Sequence, residues 1–227
     1  MWWFQGLHAN LLLALRERRA PRRILDAGCG TGEFMRRLAA AFPDATVLGL
    51  DLDAGAARWA QAKGGGVLAI GSIDRLPFAD GAFDAAVSAD VLCHCGVDGP
   101  RALAELRRCL RPGGVLVLNL PAYRWLYSAH DAAVDNARRY AATEVSRLLA
   151  AAGFEAVRTR YWNSLLFPLM LLRRRLWRRG GSASEVALGP APVERVFGAA
   201  LRLEQRLFAA GLALPFGGSI LATAVKP

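Results

Sequence analysis

One segment narrows the folds open to this chain more than any other: Ile24-Leu25-Asp26-Ala27-Gly28-Cys29-Gly30-Thr31-Gly32. A short apolar run ends in an acid, then meets glycines at alternate positions, and a helical period opens at Glu33. Glycines so placed let the backbone adopt conformations closed to other residues and approach a ligand closely. A strand feeding a helix through such a turn is the first unit of a parallel sheet covered by helices. The spacing is not the dinucleotide pattern G-x-G-x-x-G, because Glu33 stands where a third glycine of that pattern would fall. Nothing resembles a phosphate-cradling lysine loop, and Glu33 at the helix mouth repels pyrophosphate. The implied ligand is a nucleoside without phosphates.

The rest of the chain repeats this unit. Apolar runs at Thr46–Leu50, Val67–Ile70, Phe83–Ser88 and Val115–Leu120 read as further buried strands. Segments of helical period lie between them at Glu33–Phe42, Ala54–Lys63 and Arg101–Leu110. Arg111-Pro112-Gly113-Gly114 ends a helix and turns into the fifth strand. Thr143–Ala152 predicts a helix stopped by Gly153, Glu155–Arg160 a sixth strand, and Ser219–Val225 a closing one. The fold class expected is α/β: a doubly wound, mostly parallel seven-stranded sheet with an apolar, basic helical insertion before its last strand. In domain terms, 1–20 is an amphipathic N-terminal helix, 21–160 the ligand-binding domain, 161–218 the insertion and 219–227 the closing strand. At 227 residues the chain suits one such domain with an appendage.

Charge separates the appendage from the rest. Residues 1–157 carry 18 basic and 16 acidic side chains, whereas 158–227 carry 11 and 3, so a net +8 of the total +10 belongs to the tail. An anionic partner is to be sought there. Four cysteines in a chain of this size do not make a disulfide scaffold, and Cys93-His94-Cys95 lacks a second ligand pair at zinc spacing, so no metal is expected. The arginines near the N-terminus follow the apolar stretch rather than precede it, unlike a secretory signal, and no apolar run is long enough to span a bilayer. The localisation expected is cytoplasmic, with the tail able to meet the inner membrane face.

The second strand ends at Gly49-Leu50-Asp51-Leu52-Asp53, about twenty residues beyond the glycines, where an acid is placed to accept two ribose hydroxyls. With Asp51 in place the chain resembles the class I S-adenosylmethionine-dependent methyltransferases, over roughly Arg22 to Ala156. The carriers are Ile24–Gly32, Asp51, Leu76-Pro77-Phe78 with Asp80-Gly81-Ala82-Phe83-Asp84, and Leu110-Arg111-Pro112-Gly113-Gly114. The resemblance implies S-adenosyl-L-methionine as cofactor. It further implies that Gly28, Gly30 and Gly32 line its methionine part, that Asp51 takes the ribose, and that Leu52 packs on the adenine. Asp26, by its place at the end of the first strand, is suited to orient the loop or receive a ligand ammonium through water. Where such proteins often carry an acid for the adenine amine this chain has Ser72, so the Ser72 hydroxyl or the Ile73 backbone must serve. Asp90, at the end of the fourth strand, completes the cofactor set.

Acceptor residues should follow strands four and five, at the carboxyl edge of the sheet. His94 follows the fourth strand. Tyr123, Trp125, Tyr127, His130 and the run Arg138-Arg139-Tyr140 follow the fifth. His130, His94 and Tyr140 are the candidates for proton removal, which a hydroxyl acceptor needs and an activated carbon does not. Tyr123 and Tyr127 suit an apolar acceptor, and Arg138 with Arg139 could clamp a carboxylate or phosphate. Alternatively, His130-Asp131 and Arg138–Tyr140 pin a lid loop by hydrogen bonds. His8, on the N-terminal helix, either covers the cofactor pocket or is plain surface.

The expected function is methyl transfer to a hydrophobic small-molecule or lipid-linked acceptor, at oxygen, nitrogen or carbon. The alternative is the same fold without methyl transfer, as a cyclase using the bound cofactor or as a binding module. For the apolar and basic stretch Tyr161–Arg179 three occupants compete: the substrate pocket, a second copy of the chain in a homodimer, or a membrane surface. Nucleic acid is not expected, since arginines interleaved with Leu, Met and Phe form no exposed stripe with stacking platforms.

Overall fold

The computed structural model describes residues 1–17, 20–63, 66–176, 190–212 and 214–227. Seven strands form one sheet: β1 (Arg23–Ala27), β2 (Thr46–Asp51), β3 (Val67–Ile70), β4 (Phe83–Ala89), β5 (Leu110–Pro121), β6 (Glu155–Trp162) and β7 (Ser219–Val225). Their order is β3-β2-β1-β4-β5-β7-β6, with β7 antiparallel to both neighbours and the remaining pairs parallel. The mostly parallel α/β sheet is therefore as expected. Strand order reverses between β1 and β4, which opens a crevice at their carboxyl ends, the usual place for a ligand in such a sheet.

Helices cover both faces. Helices α1 (Trp2–Arg16), α2 (Glu33–Ala41) and α8 (Ala191–Ala209) share one apolar core, through Leu7, Leu11, Leu38 and Leu201. Helices α4 (Gly99–Cys109) and α6 (Ala142–Ala151) share the other, through Leu103, Leu106, Val145 and Leu149. Helix α3 (Ala54–Ala62) packs along β2 and β3. Two short helices, α5 (Ala129–Ala133) and α7 (Phe167–Leu176), stand at the carboxyl edge. A Cβ on Gly6 would lie 2.3 Å from Leu201 Cδ1, so the absent side chain is what lets α1 and α8 approach so closely.

The motifs that carried the family resemblance act as clamps. Asp84 Oδ2 accepts the backbone N–H groups of Arg22 and Arg23 at 2.7 and 2.8 Å, and its other oxygen meets Arg111. Arg108 donates to the carbonyls of Phe78 and Leu76 and pairs with Asp80 and Glu105. The resemblance was thus read partly from residues that hold the frame.

Three expectations need correcting. Strand β5 starts at Leu110 rather than Val115: Leu110 already pairs with Phe83, and Arg111–Gly114 form an irregularity that β7 keeps in the ladder through Gly113 N–H to Lys226 O, 2.8 Å. Strand β3 is not buried, since it is the edge of the sheet and Val67 and Ile70 are 61% and 60% exposed. The boundary drawn at 160/161 falls inside β6, which continues to Trp162 because β7 pairs with it that far. Trp177, Arg178, Arg179 and most of the stretch 180–192 lie outside the described residues, as do the side chains of 173–176.

Candidate functional site

The glycine loop is strapped to the end of β2. Gly28 and Cys29 donate their N–H groups to Leu50 O at 2.7 and 3.0 Å, and Gly30 N–H donates to Asp51 Oδ2 at 2.7 Å. Asp51 Oδ1 accepts Asp53 N–H at 3.0 Å. Each Asp51 oxygen thus has one backbone partner and retains accepting capacity for hydroxyls. Gly28, Gly30 and Gly32 have φ of 92°, 52° and 76°, the left-handed region that a β-carbon disfavours. At Gly28 a Cβ would also lie 2.1 Å from Val91 Cγ2, so the loop packs against the segment after β4 with no room to spare.

Beside the loop, Asp26 is buried and its Oδ2 has no hydrogen-bond partner. Burial and then the nearby Asp51 charge push its pKa up to about 7. A buried carboxyl oxygen without a partner can accept a donor or face a cation there. Gly71 N–H donates to Asp51 O at 3.0 Å, which brings Ser72 and Ile73 to the same edge. The Ser72 hydroxyl accepts Asp74 N–H at 3.2 Å, and the Ile73 side chain is in the core. Leu52 is 73% exposed, an apolar face open to a flat ring. Strand pairings set Ile70 beside Asp51, Gly49 beside Asp26, and Asp26 beside Val87, so these residues line the carboxyl ends of four adjacent strands.

At the end of β4, Asp90 takes a left-handed φ of 56°. Asn119 Nδ2 donates to both of its carboxyl oxygens at 3.0 Å, and burial nonetheless pushes its pKa up to about 7. Asn119 Oδ1 in turn accepts the Trp162 indole N–H at 2.7 Å. Neither Asn119 nor Trp162 was picked out from the sequence. The available signal was a lone polar residue inside the apolar run Val115–Leu120, which a buried strand tolerates only with partners.

The segment after β5 folds back as a lid. Tyr123 N–H donates to Tyr140 O and Tyr140 N–H to Pro121 O, while Ala137 N–H reaches Cys93 O at 2.7 Å. Asp131, 0% exposed, is its anchor: it pairs with Arg139 Nε at 2.8 Å and accepts Ser128 N–H and, more weakly, Asn136 Nδ2. The His130 ring is not among these partners; Asp131 therefore does not orient His130. Arg139 is buried, its guanidinium shared between Asp131 and Ala122 O, while Arg138 is exposed and donates to Val97 O. The two do not form one clamp. Tyr140 is buried with its hydroxyl donating to Leu92 O at 2.8 Å and its pKa pushed up to about 12 by burial, so it holds the lid and offers no proton acceptor. His94 is half-buried and bridges to Asn136, which sets it under the lid. His8 is not plain surface: it is buried 5.0 Å from the Phe34 ring at the start of α2, and burial lowers its pKa to about 4.

The lid contributes two rings to an aromatic wall. Tyr123 stacks on Tyr161 at 5.1 Å and lies 5.4 Å from Trp125 and 5.6 Å from Phe167, which reaches Phe216 at 5.8 Å. Burial, with Tyr161 next, pushes the Tyr123 pKa up to about 12. Tyr127 is tied down by its hydroxyl to Asn136 O at 2.9 Å. Glu204 of α8 fixes the start of α7 by accepting the N–H groups of Ser164 and Leu165.

Comparison with known proteins agrees with this geometry. Residues 25–118 match the model of a methyltransferase domain. Trans-aconitate 2-methyltransferase of Deinococcus radiodurans is 43% identical over 116 residues, 50% of this chain and 43% of that protein. Malonyl-[acyl-carrier protein] O-methyltransferase of Geobacter sulfurreducens is 33% identical over 163 residues, 65% of this chain and 61% of that one. The chain thus spans about half the length of the curated relatives it matches. An S-adenosylmethionine-dependent methyltransferase of Thermotoga maritima shares the fold at TM-score 0.63 and 21% identity, over 99% of this chain and 93% of that one. Residues 25–118 are thus similar in sequence to methyltransferase domains, and the chain shares its fold with an S-adenosylmethionine-dependent methyltransferase.

Proposed function

We propose that this chain transfers a methyl group from S-adenosylmethionine to a hydrophobic small-molecule or lipid-type acceptor. The observation that carries the acceptor class is the aromatic wall of Tyr123, Trp125, Tyr161, Phe167 and Phe216, which stands on the same carboxyl edge as the glycine loop. The donor set suits the cofactor: Asp26 has an unpartnered buried oxygen for an ammonium, Asp51 has free lone pairs for ribose hydroxyls, and Leu52 is an open apolar face. Ser72, the Ile73 backbone and Asp90 complete the edge. When bound, the cofactor would supply an electrophilic methyl on a sulfonium, the bond from acceptor to methyl forming in line as the methyl–sulfur bond breaks and S-adenosylhomocysteine leaves.

The protein's work is then alignment and exclusion of water. Asp131, Arg139 and Tyr140 hold the lid, and Tyr123 and Tyr127 present rings toward the acceptor. Arg138, the exposed arginine of the pair, is the one available to an acidic group. For a hydroxyl acceptor His130 or His94 takes the proton. The segments after residue 120, which carry the candidate acceptor residues, are assigned the choice of acceptor here. Incubation with methyl-labelled S-adenosylmethionine and a panel of lipids and phenols tests the reading. Label should pass to an organic-extractable product and be abolished by Asp51→Ala. Cofactor binding without any transfer would move the cyclase or binding-module reading forward.

A further inference from the structure

At the carboxyl edge stand apolar side chains that no described residue covers fully. On α7, Leu169 and Leu172 lie three positions apart on one face and are 48% and 54% exposed, and Leu165 just before the helix is 38% exposed. The same segment is held from behind, since Phe167 is buried against Tyr123 and Phe216. At the rim Trp125 is 66% exposed. Charge follows directly along the chain: from Ala156 to Ser184 the sequence holds seven arginines and no acid, and five of the seven fall within 173–179.

An outward apolar stripe running into a cluster of arginines is the pattern of a helix lying in a lipid interface, its leucines among the acyl chains and its arginines on anionic headgroups. An exposed tryptophan at the rim suits the same boundary. No helix among the described residues is long and apolar enough to cross a membrane, so the contact is with the surface. A second copy of the chain is a poorer occupant, because it brings the same positive charge, whereas an anionic surface complements it.

We propose that α7 and the Trp125 rim seat this chain on an anionic membrane surface, from which the acceptor enters the site. The route of the acceptor rests on the methyl-transfer reading; the seating does not. Flotation of the full chain with vesicles of phosphatidylcholine, with and without phosphatidylglycerol, tests it. The chain should partition at least about tenfold better into the anionic vesicles, and less so as salt rises. Leu169→Asp with Leu172→Asp should cut that partition about tenfold or more while calorimetric binding of S-adenosylmethionine is unchanged, as both sites are exposed. Arg173→Glu, Arg174→Glu and Arg175→Glu together should do the same. Equal partition into both vesicles, or none, overturns the proposal. So does a dimer in sedimentation velocity that the leucine variant abolishes, which would give the face to a second copy. Vesicle binding by a chain that ignores the cofactor would uphold the surface and sink only the methyl-transfer reading.

Discussion

The two halves of the carboxyl edge are built differently. On the cofactor side, the partners of the glycine loop come from the next strand: Asp51 holds Gly30 across 21 positions and Leu50 holds Gly28 and Cys29. On the acceptor side, the lid is pinned within itself, but the contacts that join it to the rest of the edge come from distant segments: Trp162 to Asn119 across 43 positions and Ser164 to Glu204 across 40. Short-range architecture repeats wherever the spacing repeats. Long-range architecture depends on what two remote segments bring to each other, so it is free to vary while the core stays fixed. The match of residues 25–118 to a family model, stopping before the lid, follows that division.

Substitutions can break or sharpen this contrast. The largest effect is expected from Arg139→Ala, which leaves Asp131 charged and fully buried with only weaker donors. Breaking such a pair costs about 3–5 kcal/mol, and urea unfolding should show that loss of stability. Arg138→Ala beside it, an exposed residue, should cost under about 0.5 kcal/mol. Equal losses at the two positions would contradict the lid description.

Next is His130→Ala. If the acceptor is a hydroxyl and His130 its base, turnover should fall about a hundredfold with cofactor affinity nearly unchanged. An unchanged rate removes His130 from the chemistry and leaves His94. Asn119→Leu then probes the joint between the halves, since it strips both donors from Asp90 and leaves the Trp162 N–H unpaired. About 2–3 kcal/mol of stability should be lost, read by the same urea titration; a neutral result would mean water replaces the amide.

The smallest effect on ligand binding is a pH dependence. Burial pushes the pKa values of Asp26 and Asp90 up to about 7, from the ordinary aspartate value of 3.8. Between these values the folded chain binds more protons than the unfolded one, so their contribution to stability declines as pH rises from about 4 to about 7, then levels. Cofactor affinity runs the other way, because a ligand ammonium favours ionised Asp26. It should rise up to about tenfold between about pH 6 and about pH 8, and Asp26→Asn should flatten the profile. A profile unaffected by that substitution would take Asp26 out of the ammonium site.

What could be read from the sequence follows the same line. The strand, glycine turn and acid of β1 and β2 were legible because backbone conformation and ligand approach are local demands that restrict residue type. So were the other five strands, although the early start of β5 and the exposure of β3 were not, as edge position is a property of the whole sheet. Tyr140 and Arg139 looked like chemistry because polar residues near a site usually do. Their burial against Leu92, Asp131 and Ala122 depends on how the lid folds back, which no spacing encodes. The Asp90–Asn119–Trp162 chain left one trace, an asparagine in an apolar strand.

The central claim is that the strapped glycine loop with Asp26 and Asp51 is a nucleoside site for a cationic cofactor. Calorimetric titration of the purified chain and its Asp51→Ala variant with S-adenosylmethionine, S-adenosylhomocysteine and NADH tests it most directly. Micromolar binding of the first two, weakened about a hundredfold or more in the variant and absent for NADH, is the result predicted. Folded protein that binds neither, or binds NADH as well, would contradict it.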